Sequence, residues 1–107
     1  MFKNLFRTLA GRPPADHANA YVVVRGERLL SGGYTADVEK NVYRLRLMGW
    51  IRPHDTFIEL EAEGPRAKIE ELLATLKEVP MWSRVDKIEF SWNASLKRHQ
   101  NFRRKTG

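Results

Sequence analysis

Apolar and polar positions follow two periods along this chain, and their order predicts four strands and two helices. Residues 20–26 contain the run Tyr-Val-Val-Val, which predicts a well-buried strand. Residues 57–63 alternate between apolar and polar side chains, as do residues 88–92, so both stretches predict strands with one buried face. Residues 50–51 predict a further short strand that leads into a turn at residues 53–56.

Two stretches between these strands carry apolar residues at helical spacing. The first follows a loop at residues 27–33, has Thr35 as its predicted N-cap and ends near Gly49. The second opens at residues 64–65 and stops at Pro80, because proline cannot continue a helix. The predicted core positions are Val38, Val42 and Leu45 in the first helix and Ile69, Leu72, Leu73, Leu76 and Val79 in the second.

The predicted order of elements is therefore β-α-β-β-α-β, over a domain at residues 20–93. Right-handed crossovers turn this order into an α+β, ferredoxin-like split β-α-β sandwich, with an antiparallel sheet and two helices on one face. Because this fold hosts many unrelated functions, it does not by itself define a chemistry.

The net charge of +6 lies at the two ends of the 107-residue chain, because residues 20–96 are close to neutral. A neutral domain is a poor candidate for dedicated nucleic-acid recognition. Residues 1–19 form a basic arm with an amphipathic start, which suits a membrane surface, a transit signal or packing on the domain or a partner chain. Residues 94–107 predict a disordered basic tail.

This tail surrounds an aromatic residue, Phe102, with cationic side chains. It leaves open contact with a protein, with RNA or with an acidic surface, and equally a solubilising role. The cations are Lys97, Arg98, Arg103, Arg104 and Lys105.

Composition excludes several kinds of site. The chain has no cysteine, so a disulfide, a thiolate zinc site and a cysteine nucleophile are ruled out. His17, His54 and His99 are far apart in sequence, which predicts no metal site, and we expect no cofactor. The longest aliphatic run, residues 22–24, is too short to cross a membrane, and we expect a cytoplasmic protein.

One predicted strand face carries a row of carboxylates, Glu59, Glu61 and Glu63. We interpret this row as a solvated outer face. RNA-recognition domains of this fold stack bases on sheet aromatics, and here the aromatic candidates are Phe57 and Tyr21 beside an acidic row. The sequence therefore argues against RNA binding by the sheet.

Four stretches resemble the acylphosphatase family: Val-Arg-Gly at 24–26, Gly-Trp-Ile-Arg at 49–52, Glu-Ala-Glu-Gly-Pro at 61–65 and the closing strand at 84–90. The resemblance covers residues 20–92. It implies a small enzyme that hydrolyses carboxyl-phosphate mixed anhydrides. It also implies a loop whose N–H groups wrap the phosphate, an arginine at the end of that loop and an asparagine that positions the attacking water.

The departures from the family fall on the two catalytic positions. The arginine position is Tyr34 or Thr35, depending on the direction of counting, and the asparagine position is Pro53. A guanidinium holds a phosphoryl group through a charged bidentate fork, which neither a tyrosine nor a threonine can imitate. Proline has no side-chain donor or acceptor for a water. The sequence therefore predicts no catalytic residue at these positions.

The loop itself remains a candidate anion site. Ser31, Gly32 and Gly33 precede a helix N-terminus, whose free N–H groups favour an anion, and Arg28 adds positive charge. The alternative is a tight β–α turn without a ligand.

Three functional hypotheses follow. The first is an acylphosphatase-like domain that has lost hydrolysis and binds a small anion or a protein. The second is an active acylphosphatase in which Arg25, Arg28 or His54 replaces the missing groups. The third is an RNA or membrane-surface adaptor that acts through its basic arms.

Overall fold

The computed structural model describes residues 17–94 and 99–106. The helix predicted at the start of the chain lies outside these residues. The elements are β1 (His17–Glu27), α1 (Tyr34–Arg44), β2 (Met48–Pro53), β3 (Phe57–Pro65), α2 (Arg66–Thr75), β4 (Arg84–Asn93) and β5 (Phe102–Arg104). None of the helices in the described ranges is long and apolar enough to cross a membrane.

The five strands form one sheet in the order β4-β1-β3-β2-β5. The first four strands pair antiparallel, whereas β5 runs parallel to β2. This topology confirms the ferredoxin-like α+β fold and adds a parallel edge strand to the predicted antiparallel sheet. β1 begins at His17, ahead of the predicted boundary at residue 20, because Asn19 and its neighbours already pair with β3.

The core lies between one face of the sheet and the two helices. Val22 in β1 and Leu60 in β3 are fully buried, and so are Val42 in α1 and Leu72 in α2. The alternation predicted for β3 sends Ile58 and Leu60 into this core. β1, predicted as a well-buried strand, also alternates: Val22 and Val24 are buried, whereas Tyr21 and Val23 are only half-buried. Val79, predicted as a core position, is instead exposed, because α2 ends at residue 75.

The start of α1 differs from the prediction. Gly33 is the N-cap, with a left-handed φ of 100° that favours glycine. Thr35 lies in the first helical turn, where its Oγ1 donates to the backbone oxygen of Leu29 at 2.8 Å. The helix ends at Arg44 rather than near Gly49, because Arg46 has a φ of 58° and turns the chain toward β2.

The disorder predicted for residues 94–107 is not what the structure shows for residues 99–106. β5 pairs with β2, and Phe102 is buried with its ring edge-on to that of Tyr43 at 6.0 Å. The Arg104 guanidinium binds the Glu39 carboxylate at 2.8 and 2.9 Å. Apolar contact and strand pairing order this part of the tail. The sequence did not predict this order because the tail is polar in composition.

The acidic row was wrongly interpreted as solvated. Glu63 is 1% exposed and Glu61 is 9% exposed, whereas Glu59 is half-buried. β4 and β5 lie at opposite edges of the sheet, and His99, in the connection between them, contacts Glu61 at 2.8 Å. The outer face of β3 is therefore covered at Glu61 and Glu63, which no local pattern could indicate.

Candidate functional site

The loop between β1 and α1 is a tight turn held by its own backbone. Arg28 has a left-handed φ of 53°, and the N–H of Gly32 donates to the Arg28 oxygen at 2.8 Å. A Cβ on Gly32 would lie 2.4 Å from the backbone oxygen of Trp82 and 2.6 Å from that of Arg28. Position 32 therefore favours glycine, because any side chain there would force the backbone of the loop or of Trp82 to move.

The carboxylate of Asp55 occupies the N–H groups of this loop. Its Oδ1 accepts from the N–H of Ser31 at 2.7 Å and from that of Leu30 at 3.1 Å, and its Oδ2 accepts from the Ser31 hydroxyl at 3.0 Å. The hydrogen bonds from Ser31 lower the pKa of Asp55, with help from the positive charge of Arg28. An ionised group of this chain thus takes up Ser31, one of the residues predicted to bind an external anion, together with the N–H of Leu30, which was not predicted. The N–H of Gly32, also predicted as a donor, is bonded to the Arg28 oxygen instead.

Asp55 comes from the hairpin that joins β2 to β3. Pro53 pairs with Ile58, and the N–H of His54 donates to the Phe57 oxygen at 2.9 Å, so Asp55 and its neighbour form the tip. The backbone oxygen of Asp55 also accepts from the loop at 2.8 Å. This residue was missed from the sequence, although an aspartate in a short turn is a signal for backbone hydrogen bonding.

The two candidate arginine positions lie inside the domain. Tyr34 is 1% exposed, its hydroxyl donates to the Leu76 oxygen at 2.7 Å, and burial raises its pKa. Thr35 is 0% exposed and its hydroxyl is bound to the Leu29 oxygen. In either register, the side chain at this position is committed to internal hydrogen bonds. Arg28 and Ser31, by contrast, are exposed at the loop.

A pocket of about 280 Å³ adjoins the loop on its outer side. Two of the residues that line it are apolar and strongly exposed: Met81 is 84% exposed and Trp82 is 66% exposed. Ser83 ties this side of the pocket to the loop, because its hydroxyl donates to the Arg28 oxygen at 2.8 Å. The pocket is lined by Glu27, Arg28, Met81, Trp82, Ser83 and Arg84.

The fold also brings together metal-ligating side chains that are far apart in sequence, whereas the histidine spacing predicted no metal site. His99 is remote in sequence from Glu61 and Glu63, yet one ligand atom from each of these residues lies within 4.8 Å of the other two. His54, in contrast, stacks on Phe57 at the hairpin, with ring centroids 4.3 Å apart. The structure thus assembles a group of metal-ligating side chains where sequence distance predicted none.

The fold defines the class first: a ferredoxin-like α+β domain with a tight turn between β1 and α1 that is held by the Asp55 carboxylate. The acylphosphatase family model matches residues 20–104. The chain is 36% identical over 81 residues to the acylphosphatase of Anaeromyxobacter sp. (strain Fw109-5), across 75% of this chain and 86% of the relative. It is 30% identical over 77 residues to that of Salinibacter ruber, across 71% and 81%.

Solved structures agree with this assignment. The acylphosphatase from Bacillus subtilis superposes with a TM-score of 0.74 at 25% identity, covering 82% of this chain and 98% of that one. The Coxiella burnetii acylphosphatase shares the fold, with a TM-score of 0.76 at 22% identity over 90% and 100% of the two chains. This chain belongs to the acylphosphatase family.

Proposed function

We propose that this chain hydrolyses acyl phosphates at the loop of residues 28–33, and that the Asp55 carboxylate holds this loop closed in the resting state. Relatives named acylphosphatases support hydrolysis better than they support the loss of activity expected from the sequence. One observation carries the proposal: the Asp55 oxygens accept from Leu30 and Ser31 as a phosphoryl group would.

Substrate binding would exchange one anion for another. As Asp55 leaves, the N–H groups of Leu30 and Ser31 and the Ser31 hydroxyl become donors for the phosphoryl oxygens. Arg28 supplies the positive charge, since it already acts on the Asp55 carboxylate from the same loop. Preorganised donors of this kind stabilise the charge that develops during phosphoryl transfer.

The displaced Asp55 carboxylate would then orient the attacking water. It lies on the hairpin that contains Pro53, the position of the family's water-positioning asparagine. The water oxygen bonds to phosphorus, the bond from phosphorus to the carboxylate oxygen breaks, and the water proton passes to the phosphate product. A carboxylate leaves without protonation, so no general acid is required.

The acyl group would lie in the pocket beside the loop. Met81 and Trp82 form an exposed apolar wall there, held against Arg28 through Ser83. Apolar surface next to a charged phosphate site suits an acyl phosphate with an aromatic or aliphatic acyl chain. The net rate would be low, because loss of even one oxyanion donor typically costs about 10²–10³ in rate.

A second candidate function is anion binding without hydrolysis, or a protein-interaction role. Two facts favour it. The family's arginine position holds Tyr34 or Thr35 instead of an arginine, and both of these side chains are buried. Binding of RNA or an acidic surface by the tail is a weaker candidate. The Arg104 guanidinium is paired with Glu39, and the Lys105 ammonium lies 4.3 Å from the centre of the Trp50 ring.

Benzoyl phosphate hydrolysis by the full chain and its variants tests the proposal. We expect measurable turnover in the wild type and a loss of at least tenfold in kcat/KM for Arg28→Ala, in line with charged phosphate contacts. For Asp55→Asn we expect an increase of about tenfold, because the amide no longer competes as an anion for the loop, while its oxygen can still accept from the attacking water as the family's asparagine does. Glu70→Gln and Arg44→Ala are matched controls, because both residues are exposed and distant from the loop.

Other outcomes separate the candidates. Binding of inorganic phosphate by the Asp55→Asn variant with no hydrolysis in any variant would favour the second candidate. Fast wild-type turnover that is insensitive to both Asp55→Asn and Arg28→Ala would show that the reaction does not use this loop as described.

A further inference from the structure

We propose that Glu61, Glu63, His99 and His17 form a binding site for a divalent transition-metal ion such as Zn²⁺. The site lies on the sheet face opposite the helices. In β3 the side chains of Leu60 and Ala62 enter the core, so those of Glu61 and Glu63 point to the other face. The site is separate from the loop, which lies at the other end of β1.

The two carboxylates and one imidazole already converge. The Asn19 Nδ2 donates to Glu61 Oε2 at 2.8 Å and to Glu63 Oε1 at 3.0 Å, so both carboxylates face one amide group. His99 Nε2 lies 2.8 Å from Glu61 Oε2. One ligand atom from each of Glu61, Glu63 and His99 falls within 4.8 Å of the others, close enough for small side-chain movements to bring all three onto one ion.

His17 is the proposed fourth ligand. Its Nε2 lies 3.7 Å from Glu63 Oε2, but it is outside the group formed by Glu61, Glu63 and His99, so its imidazole would have to move toward them to share the ion. Ligands at about 2.0–2.1 Å from a tetrahedral zinc ion lie about 3.3 Å apart, a value between the 2.8 and 3.7 Å separations seen here. Two imidazoles with two carboxylates form a donor set that suits zinc and its neighbours rather than calcium or magnesium.

The carboxylates of this site are more buried than the imidazoles, and this difference affects both metal affinity and the side from which an ion would enter. The Glu63 side chain is 2% exposed and that of Glu61 is 12% exposed, whereas those of His17 and His99 are 22% and 21% exposed. Two adjacent carboxylates away from water repel each other, and a divalent cation between them turns that repulsion into attraction. The more open imidazole side would admit the ion.

A second layer of hydrogen bonds orients the ligands. The Asn93 Nδ2 donates to Asn19 Oδ1 at 3.0 Å, which directs the Asn19 amide nitrogen toward both carboxylates. Such outer contacts set the orientation of metal ligands and raise affinity. Because the ligands come from β1, β3 and the connection that follows β4, a bound ion would fasten the C-terminal segment to the sheet.

Zinc titration of the tag-free full chain, against a chromophoric chelator, tests this site. We expect one equivalent of Zn²⁺ to bind, and affinity to fall by at least about tenfold in Glu63→Gln and in His99→Gln. Glu59→Gln, on the same strand face, and His54→Ala, on the hairpin, are controls expected to bind as the wild type does.

A second readout does not depend on how the variants fold. In the wild type, zinc should shift the imidazole NMR signals of His17 and His99 and leave that of His54 unchanged, and Co²⁺ should give the visible spectrum of a four-coordinate ion. Absence of zinc binding by the wild type, binding that shifts His54 alone, or equal affinity in a folded Glu63→Gln variant would overturn the proposal.

Discussion

Ser31 donates both its backbone N–H and its hydroxyl to the carboxylate of Asp55, at 2.7 and 3.0 Å. Both donors belong to the loop between β1 and α1, where we propose that the phosphoryl group binds, and the acceptor belongs to the chain itself. A substrate that binds there as proposed would have to compete with this carboxylate.

The pH dependence of stability should reveal this contact. The hydrogen bonds from Ser31 lower the folded pKa of Asp55 below its unfolded value of about 3.9. Its stabilising contribution is thus fully present above that value and is lost as pH falls through the folded pKa. Urea unfolding of wild type and Asp55→Asn should differ at neutral pH and converge in acid. A gap that stays constant down to pH 2 would contradict the assignment.

A glycine in the loop should be intolerant of even one methyl group. In Gly32→Ala the new Cβ would meet the backbone oxygens of Trp82 and Arg28 at 2.4 and 2.6 Å. We expect a loss of about 1–3 kcal/mol in the free energy of unfolding, as for other overpacked sites, together with weaker phosphate binding. Ser31→Ala, which removes one hydroxyl from the same loop, is the control and should cost less stability. Equal stability of both variants would show that the loop relaxes freely.

Tyr34 should matter for stability but not for hydrolysis. Its buried hydroxyl donates to Leu76, so Tyr34→Phe removes one hydrogen bond and should cost about 1 kcal/mol. Thermal unfolding and benzoyl phosphate hydrolysis measure the two effects on the same preparation. A variant with normal stability and much reduced turnover would instead show that the Tyr34 hydroxyl takes part in the reaction.

On the outer sheet face, Tyr21 should control the titration of Glu59. The Tyr21 hydroxyl donates to Glu59 Oε2 at 2.6 Å, and this hydrogen bond is the main cause that lowers the pKa of Glu59, followed by Arg52. Tyr21→Phe should therefore raise the pKa of Glu59, as measured by carbon-13 NMR of the side-chain carboxyl. Tyr43→Phe, a control at an exposed tyrosine, should leave the pKa of Glu59 unchanged.

The C-terminal strand should contribute to the core. Phe102 is 8% exposed and packs against Tyr43, so Phe102→Ala should lower the free energy of unfolding by about 3 kcal/mol. Phe102→Leu, which keeps an apolar side chain, should cost much less. If removal of residues 97–107 left stability unchanged, β5 would have no energetic role.

The order of elements was accessible from the sequence because each strand and helix has its own period. The alternation in β3 sends Leu60 inward and Glu61 outward, as predicted. Whether an outward residue meets water depends on what else crosses that face. One partner of Glu61 is His99, which lies 38 positions away in the chain. No local pattern carries that information.

The same reasoning explains why Asp55 was missed. Its partner Ser31 is 24 residues away, and the two meet because the β1–α1 loop and the β2–β3 hairpin lie at the same end of the paired antiparallel strands β1 and β3. The family pattern directed attention to Tyr34, Thr35 and Pro53, the positions where the family's arginine and asparagine are missing. Asp55 accepts hydrogen bonds from the same loop but occupies none of these positions, so comparison with the family pattern did not identify it.

The basic C-terminal run has a consequence for how molecules of this protein meet. β5 covers the outer edge of β2, and the edge it presents instead carries Arg103 and Arg104, followed by Lys105. Charged side chains on an edge strand disfavour its pairing with the edge of a second copy. Arg104 is paired with Glu39 and Lys105 lies over the Trp50 ring, so we expect Arg103 to contribute most to this opposition to edge-to-edge aggregation.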